Sequence, residues 1–252
     1  LRRTRTSASR WYRRTYPKGD PFARRRRRQT LVVVAIVLVV QILTWWLTPS
    51  WALRIGVLGM THDHVWGNLA DLKKSSLGEL VAAADPSEEL RTKVQKELGC
   101  KNVFESYEEL LEETELDAVY VFGDNATGAD LASLAASRGL HVLVEKPMAA
   151  NLDGADRMLA AARGAGITLM INWPFVWWPQ LQKAMAMAQA GEIGKLFSVK
   201  YRSAHAGPKE LGCTPHFYNW LYDAHLNGAG ALMDYGCYGS ALARHLLGQP
   251  SR

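Results

Sequence analysis

The sequence contains little cysteine and little charge for its length of 252 residues. Its three cysteines, Cys100, Cys213 and Cys237, are an odd number without the spacing of a metal site, so we expect free thiols, which favour a reducing compartment. A miniprotein stapled by disulfides is thereby excluded. Charged residues make up 21% of the chain and hydrophobic residues 48%, which also excludes an intrinsically disordered protein.

Basic residues are scarce beyond the first 30 positions. Residues 1–30 hold eleven arginines, one lysine and one aspartate, a net charge of +11, whereas the whole chain carries +6, so residues 31–252 carry a net −5. A core that binds nucleic acid would spread basic residues over its fold. We therefore expect no nucleic acid on the core. Only the tail, which we expect to be disordered, has the charge to contact RNA or anionic lipid.

One long apolar run follows the basic tail. Residues 31–47 read LVVVAIVLVVQILTWWL, and a helix of this length would rise about 25 Å, which is marginal for crossing a bilayer. Arginines precede the run and tryptophans follow it, as at the two interfaces of a membrane segment. The pattern predicts a signal or anchor over residues 31–52, with membrane contact through residues 24–47.

A second interpretation is that residues 1–52 are not native to the protein, since the first methionine is Met60, inside the predicted fold. The two interpretations predict different locations. The protein is cytoplasmic if residues 1–52 are foreign to it, and membrane-anchored or exported if they are its own.

From Leu53 onward, short apolar runs alternate with stretches of helical periodicity. Short connections between strands and helices are typical of a parallel sheet with helices on both faces. Because crossovers between parallel strands are right-handed, residues 53–172 are expected to form a Rossmann-like, doubly wound α/β domain. The predicted strands are residues 53–58, 80–84, 103–104, 118–122, 141–144 and 167–171.

The pattern changes after Asn172. Residues 179–189 and 230–247 predict helices, and residues 195–205 alternate in polarity like a strand of a half-exposed antiparallel sheet. One strand cannot cover a sheet face. Residues 173–252 are therefore expected to form a partial α+β substrate domain with an antiparallel sheet.

The end of the first strand is where a dinucleotide-binding fold places its phosphate loop. The fingerprint G-x-G-x-x-G needs three glycines, and residues 59–64 (GMTHDH) retain only Gly59. Thr61 brings a Cβ where the backbone would approach a phosphate, and His64 replaces the last glycine. The helix that begins here is still a candidate anion site through its free N–H groups.

The pair His62 and His64 also permits a different interpretation, a zinc hydrolase of the barrel type. Two histidines at i and i+2 do not share a helix face, so they would chelate only from a loop or a strand. Apart from Cys213 and His216, the sequence offers no second closely spaced ligand pair, so we expect no metal. The later histidines available as ligands are His205, His216 and His225.

Two strand ends carry further candidate residues. Asp85 ends the second strand, where an acidic side chain can accept hydrogen bonds from an adenosine ribose and repel a 2′-phosphate, which favours NAD over NADP. A helix cap is the alternative role for Asp85. Glu145, Lys146 and Pro147 follow the fifth strand, where a lysine can orient a substrate hydroxyl and lower the pKa of a neighbouring acid.

The predicted helix over residues 230–247 carries a polar pair. Asp234 and Tyr238 are four residues apart and so share one helix face. A tyrosine beside a cation can act as a general acid or base. Residues 172–178 (NWPFVWW) form an aromatic cluster that either stacks on a sugar or packs into a core.

Together these features resemble the Gfo/Idh/MocA oxidoreductase family, from about Leu53 to Pro250. The resemblance implies an N-terminal domain that binds NAD or NADP and a C-terminal domain built on a mostly antiparallel sheet. It also implies sugars, polyols or related hydroxy compounds as substrates, and a homo-oligomer. The segments that carry it are IGVLG (55–59), Asp85, Asn125, HVLVEKPMA (141–149), GEIGKLFSV (191–199) and GAGALMDYGCYGSALARHLLG (228–248).

The resemblance also implies roles for single residues. Lys146 matches the lysine of the family's Glu-Lys-Pro element, Asp234 its substrate-binding aspartate, and Tyr238 the proton donor and acceptor that Lys146 would tune. The cofactor-binding residues would be Gly59, Thr61, His62, Asp85, Asn125, Glu145, Lys146 and Pro147.

The sequence departs from the family pattern at three places. The phosphate loop lacks two glycines, residues 123–125 read GDN where the family has Thr-Pro-Asn, and family chains continue well past Gly248. Two alternatives within the same fold are a sensor or structural paralogue that no longer binds a dinucleotide, and a glycosidase that uses NAD transiently.

Overall fold

The computed structural model describes residues 52–250 of the chain. The predictions for the basic tail and the apolar run, residues 1–51, lie outside the described residues. Within residues 52–250, the helices are too short or too polar for any of them to traverse a bilayer.

A six-stranded parallel sheet organises the first part of the molecule, in the order β3-β2-β1-β4-β5-β6. The chain winds outward from β1 through β2 to β3, returns to β4 beside β1, and winds the other way to β6. This confirms the doubly wound α/β fold. The strands are β1 Leu53–Leu58, β2 Gly78–Ala84, β3 Asn102–Phe104, β4 Ala118–Val121, β5 His141–Glu145 and β6 Leu169–Asn172.

Five helices connect these strands, and several begin at side-chain caps that the sequence encodes. The Ser87 hydroxyl accepts the Leu90 N–H, the Ser106 hydroxyl accepts the Glu109 N–H, and Asp124 caps the fourth helix. The helices are α1 His64–Leu72, α2 Glu88–Leu98, α3 Tyr107–Glu113, α4 Asn125–Ser137 and α5 Leu152–Ala165.

Both faces of the sheet are covered, because successive strand residues point to opposite faces. In β2, Ala82 and Ala84 join the apolar cluster beneath α3, α4 and α5, while Ala83 joins the cluster beneath α1 and α2. In β4, Val119 faces the first cluster and Ala118 the second. The strands are therefore apolar on both faces, as in a buried parallel sheet.

The second part of the molecule is helical as far as the structure describes it. The predicted antiparallel strand over residues 195–205 is wrong, since these residues have no regular structure. A strand needs a hydrogen-bonding neighbour, and the described residues supply none beside this segment. The elements are a 3₁₀ turn Pro174–Trp177 and helices α6 Pro179–Gln189, α7 Pro215–Leu221, α8 Ala224–Asn227 and α9 Gly230–Leu247.

Candidate functional site

The carboxyl ends of β1 and β4 lie side by side where the winding direction of the sheet reverses. Gly59 ends β1 with φ of +78°, and a Cβ on it would lie 3.1 Å from the Cα of Gly123, which follows β4. Both the backbone conformation and this close approach require glycine at position 59. In open α/β sheets, ligands bind at this switch point.

Most backbone N–H groups of the phosphate loop, residues 59–64, donate hydrogen bonds to other groups of the protein. Among the described residues, only the N–H groups of Thr61 and Asp63 have no hydrogen-bond partner in this loop. The loop therefore offers two free backbone donors to an anion. The satisfied bonds run from Gly59 to Ala84 O, Met60 to Asp85, His62 to Phe122 O, and His64 to the imidazole of His62.

Asp85 braces this loop from the end of β2. One carboxylate oxygen accepts the Met60 N–H at 2.7 Å and the other accepts the Ser87 N–H at 2.8 Å. The side chain is buried, and burial raises the pKa of its carboxyl group. Arg91 lies beside it, with its guanidinium donating to the Asp85 carbonyl oxygen at 2.7 Å. Both carboxylate oxygens of Asp85 therefore accept backbone N–H groups, one in the phosphate loop and one in the turn before α2, whereas the cap of α2 is Ser87.

Lys146, Asp234 and Tyr238 come together beyond the end of β5. The ammonium group of Lys146 donates to a carboxylate oxygen of Asp234, and both residues are buried. The same nitrogen lies 5.1 Å from the centre of the Tyr238 ring. Residues 88 positions apart in sequence thus form one charged and aromatic cluster at the sheet edge. The peptide bond between Lys146 and Pro147 is cis.

The Tyr238 ring is held by aromatic neighbours. Its centre lies 4.7 Å from that of Phe175 and 6.0 Å from that of Trp173, so part of the aromatic cluster packs against the predicted catalytic residue. Burial, and then the carboxylate of Glu145, raise the pKa of Tyr238 above its ordinary value. Lys146 faces the ring and its charge is paired with Asp234. The phenol is therefore protonated at neutral pH.

Glu145 ties three elements together. One carboxylate oxygen lies 3.0 Å from Nδ1 of His64 at the start of α1, and the other accepts the amide N–H of Asn172 at the end of β6 at 2.7 Å. The side chain is 3% exposed, so it is reached only by groups inside the site. Glu145 thereby fixes the backbone from which Lys146 projects.

His62 is buried in the phosphate loop with a defined tautomer. Its Nδ1 accepts the backbone N–H of His64 at 3.1 Å, so the proton of the neutral ring lies on Nε2. Burial, followed by the charges of His64 and Lys146, holds the pKa of His62 well below 6.5. The ring stays neutral at physiological pH.

His62, His64 and Glu145 approach each other as metal ligands do, with one ligand atom of each within 4.8 Å of the others. A metal would need the free lone pair of His62 Nε2 and a proton on Nδ1. The bond from the His64 N–H requires the opposite tautomer. The geometry therefore argues against the zinc interpretation. Of the later histidines, His216 pairs with Glu89 at 3.1 Å instead.

Asn125 connects the two parts of the molecule. Its amide nitrogen donates to the side-chain oxygen of Asn227 at 2.8 Å and to the Asn227 carbonyl at 3.2 Å. Asn227 is fully buried and donates in turn to the carbonyl of Leu221 at the end of α7. The amide N–H groups of Asn125 thus bind the second part of the molecule. Sequence reasoning missed Asn227.

Helix α7 covers the phosphate loop, which sequence reasoning also missed. The Asp63 carboxylate accepts the Thr214 N–H at 2.8 Å and the Thr214 hydroxyl at 2.6 Å, just before α7 begins. Phe217 and Trp220 of α7 pack on the His62 ring, with centres 4.3 and 5.8 Å away. These partners lie some 150 residues apart in sequence, and no local pattern signals such a contact.

A large apolar pocket is also present among the described residues. It has a volume of about 1340 Å³ and is lined by mostly apolar side chains of α5, α6 and α9 with Trp173 and Trp177. Lys146, Asp234 and Tyr238 are not in its walls. Its lining offers few groups to orient a polar substrate, so the charged cluster at the sheet edge is the better candidate site.

The sheet order, with its change of winding direction between β1 and β4, defines a doubly wound α/β domain of the Rossmann type. Residues 53–173 match the model of the Gfo/Idh/MocA oxidoreductase family described as an NAD-binding Rossmann fold, and residues 181–252 match the model of the GFO/IDH/MocA C-terminal domain. Together the two matches take in most of the chain, which therefore belongs to the Gfo/Idh/MocA family.

Curated relatives and solved structures agree with this assignment. The chain is 35% identical over 200 residues to D-xylose 1-dehydrogenase (NADP(+)) 2 of Haloferax volcanii, covering 79% of this chain and 59% of the relative. It is 34% identical to dTDP-3,4-didehydro-2,6-dideoxy-alpha-D-glucose 3-reductase of Actinomadura kijaniata, covering 78% and 56%. The chain thus spans less than three fifths of the length of these relatives.

Among solved structures, the chain is similar to KijD10, a 3-ketoreductase from Actinomadura kijaniata in complex with NADP and TDP-benzene. The TM-score is 0.64 at 31% identity, covering 78% of this chain and 58% of that one.

Proposed function

We propose that the chain carries the cofactor-binding and catalytic residues of an NAD(P)-dependent oxidoreductase that acts on a CH–OH group of a sugar, polyol or related compound. The observation that carries the proposal is the cluster of Lys146, Asp234 and Tyr238 at the carboxyl edge of the sheet. The relatives named as a xylose dehydrogenase and a sugar-nucleotide 3-reductase support the reaction class.

The residues present fit a dinucleotide at the switch point. The N–H groups of Thr61 and Asp63 have no hydrogen-bond partner among the described residues. The buried hydroxyl of Thr61 also lacks a partner among them. These groups would hold the phosphates, with Asn125 and Glu145 farther along the carboxyl edge of the sheet. When bound, the nicotinamide ring supplies the hydride chemistry.

Tyr238 would exchange the proton of the substrate hydroxyl. A tyrosine phenol is protonated at neutral pH, so Tyr238 is able to donate a proton to a carbonyl oxygen in the direction of reduction. Lys146 would hold that oxygen with its ammonium group, and Asp234 would fix Lys146 and position the substrate hydroxyls. The sequence also led us to expect that Lys146 stabilises a phenolate on Tyr238. The structure does not support this role, because the ammonium group of Lys146 is paired with Asp234.

The choice between NAD and NADP depends on the end of β2. Asp85 would repel a 2′-phosphate and favours NAD, as expected from the sequence. Arg91 lies next to it and would attract a 2′-phosphate. Titration of the protein with NADH and NADPH, followed by nicotinamide fluorescence, gives the preference directly. Stronger binding of NADPH would overturn the role of Asp85.

Replacement of Tyr238 tests the catalytic assignment. We expect Tyr238→Phe to lower turnover of aldose or polyol substrates by about 10²- to 10⁴-fold, because the proton donor is lost. NADH affinity is expected to stay unchanged. Tyr235→Phe is the matched control, since Tyr235 lies on the same helix with its ring centre 5.9 Å from that of Tyr238. Activity of Tyr238→Phe within a few-fold of the parent would contradict the assignment.

A further inference from the structure

Three buried polar atoms lie without hydrogen-bond partners around the phosphate loop, as judged over residues 52–250. They are Oγ1 of Thr61, Nε2 of His62 and Nε1 of Trp220. The rings of His62 and Trp220 are 5.8 Å apart, and Thr61 precedes His62 in the chain. The His62 and Trp220 atoms lie at one interface, between the phosphate loop and α7, and Thr61 belongs to the same loop. A buried polar group without a partner costs free energy, so three such atoms in and beside one loop need an explanation.

Two of the three unmatched atoms are hydrogen-bond donors, whereas the Thr61 hydroxyl can donate or accept. The indole N–H of Trp220 can only donate. Nε2 of His62 also carries a proton, because Nδ1 is taken by the His64 N–H. The nearest carboxylate oxygen, on Glu145, is 4.0 Å from that Nε2, which is too far for a hydrogen bond. The interface therefore holds a surplus of donors and lacks acceptors.

A dinucleotide backbone supplies what this interface lacks, because phosphate and ribose oxygens are acceptors. The loop has lost two fingerprint glycines, and most of its backbone donors are satisfied internally. We propose that two side chains take over the role of the missing backbone donors. Nε2–H of His62, in the loop, and Nε1–H of Trp220, in α7, hold the phosphate–ribose backbone of the dinucleotide between them. This inference rests on the proposed function and adds a binding residue from the second part of the chain.

Helix α7 must separate from the loop to admit the ligand. The two donors are enclosed, and the Phe217 ring lies 4.3 Å from that of His62. The attachment nearest the loop is the pair of hydrogen bonds from Thr214 to Asp63. The dinucleotide would then take the place of the direct contact between His62 and α7.

The test is equilibrium titration of the 252-residue chain with NADH and NADPH, in parent and variant forms. His62→Asn keeps an acceptor for the His64 N–H and removes the Nε2 donor, whereas His62→Gln keeps a donor near the Nε2 position. We expect His62→Asn and Trp220→Phe to weaken both dinucleotides about tenfold each. We expect His62→Gln to stay within about threefold of the parent.

Two controls keep the result interpretable. Tyr218→Phe also removes a polar group from α7 and is expected to bind like the parent. If Trp220→Phe unfolds, a benzothienylalanine at position 220 keeps the ring shape and removes only the N–H. Parent-like affinity of both His62→Asn and the Trp220 replacement would overturn this inference and leave the proposed function standing. Absence of dinucleotide binding by the parent would overturn the proposed function itself.

Discussion

The site depends, at the scale of single residues, on a buried ion pair. The side chain of Lys146 is 3% exposed and that of its partner Asp234 9%. Taking two charges out of water is costly, and their attraction offsets the cost only while both are present. The pair therefore holds Tyr238 and the end of β5 in place. Loss of either charge is expected to destabilise the folded protein.

Removal of one member of this pair tests that link. We expect Lys146→Met to lower the free energy of unfolding by about 3–5 kcal/mol, because Asp234 is left as an uncompensated buried charge. The double change Lys146→Met with Asp234→Leu should recover much of the loss. Urea denaturation followed by circular dichroism measures both. Lys74→Met is the control, since Lys74 and its partner Asp71 are exposed and should contribute less than about 1 kcal/mol.

The sequence identified these residues by motif but not their mutual geometry. Lys146 stands at a strand end, and Asp234 and Tyr238 lie on one helix face, which local patterns reveal. That the ammonium pairs with Asp234 and only faces the Tyr238 ring depends on packing between distant segments. The raised pKa of Tyr238 follows from that packing, so the sequence could not supply it.

At the scale of elements, alternating apolar runs and caps predicted the sheet almost completely. Parallel strands buried on both faces leave a strong sequence signal, as in β1 and β4. The prediction of a strand over residues 195–205 was wrong. A polarity pattern marks a suitable segment but does not supply the neighbouring strand to which it must hydrogen-bond. The short helix α7 was missed because its seven residues, PHFYNWL, are too few to show a helical period.

The attachment of α7 gives a prediction at this scale. We expect Thr214→Val to loosen α7, because it removes the hydroxyl donor to Asp63 and leaves only the backbone bond. Hydrogen exchange read by mass spectrometry should show faster exchange in residues 215–221 and unchanged protection in β1 and β4. Thr127→Val, at a half-buried threonine of α4, is the matched control. Unchanged exchange of α7 would show that the aromatic contacts alone hold it.

At the scale of the whole molecule, His62 lies where the sheet domain meets the later helices. It contacts the loop through His64 and α7 through Phe217, so it is buried only when both parts are folded together. Its protonation is therefore coupled to global unfolding. The neutral ring is required in the folded state, while in the unfolded chain the imidazole titrates near its ordinary pKa of 6.5.

This coupling predicts the pH dependence of stability. Because burial lowers the pKa of His62 in the folded state, the unfolded chain binds one more proton below pH 6.5, and the free energy of unfolding falls as the pH falls. Between pH 7.5 and 5.5 we expect the parent to lose about 1.4 kcal/mol more than His62→Gln, measured by urea denaturation at each pH. Taking the difference between the two proteins removes the contributions of the other histidines. Parallel curves would mean that His62 is not kept neutral by burial in the folded protein, which would contradict the enclosed donor on which the dinucleotide-binding inference depends.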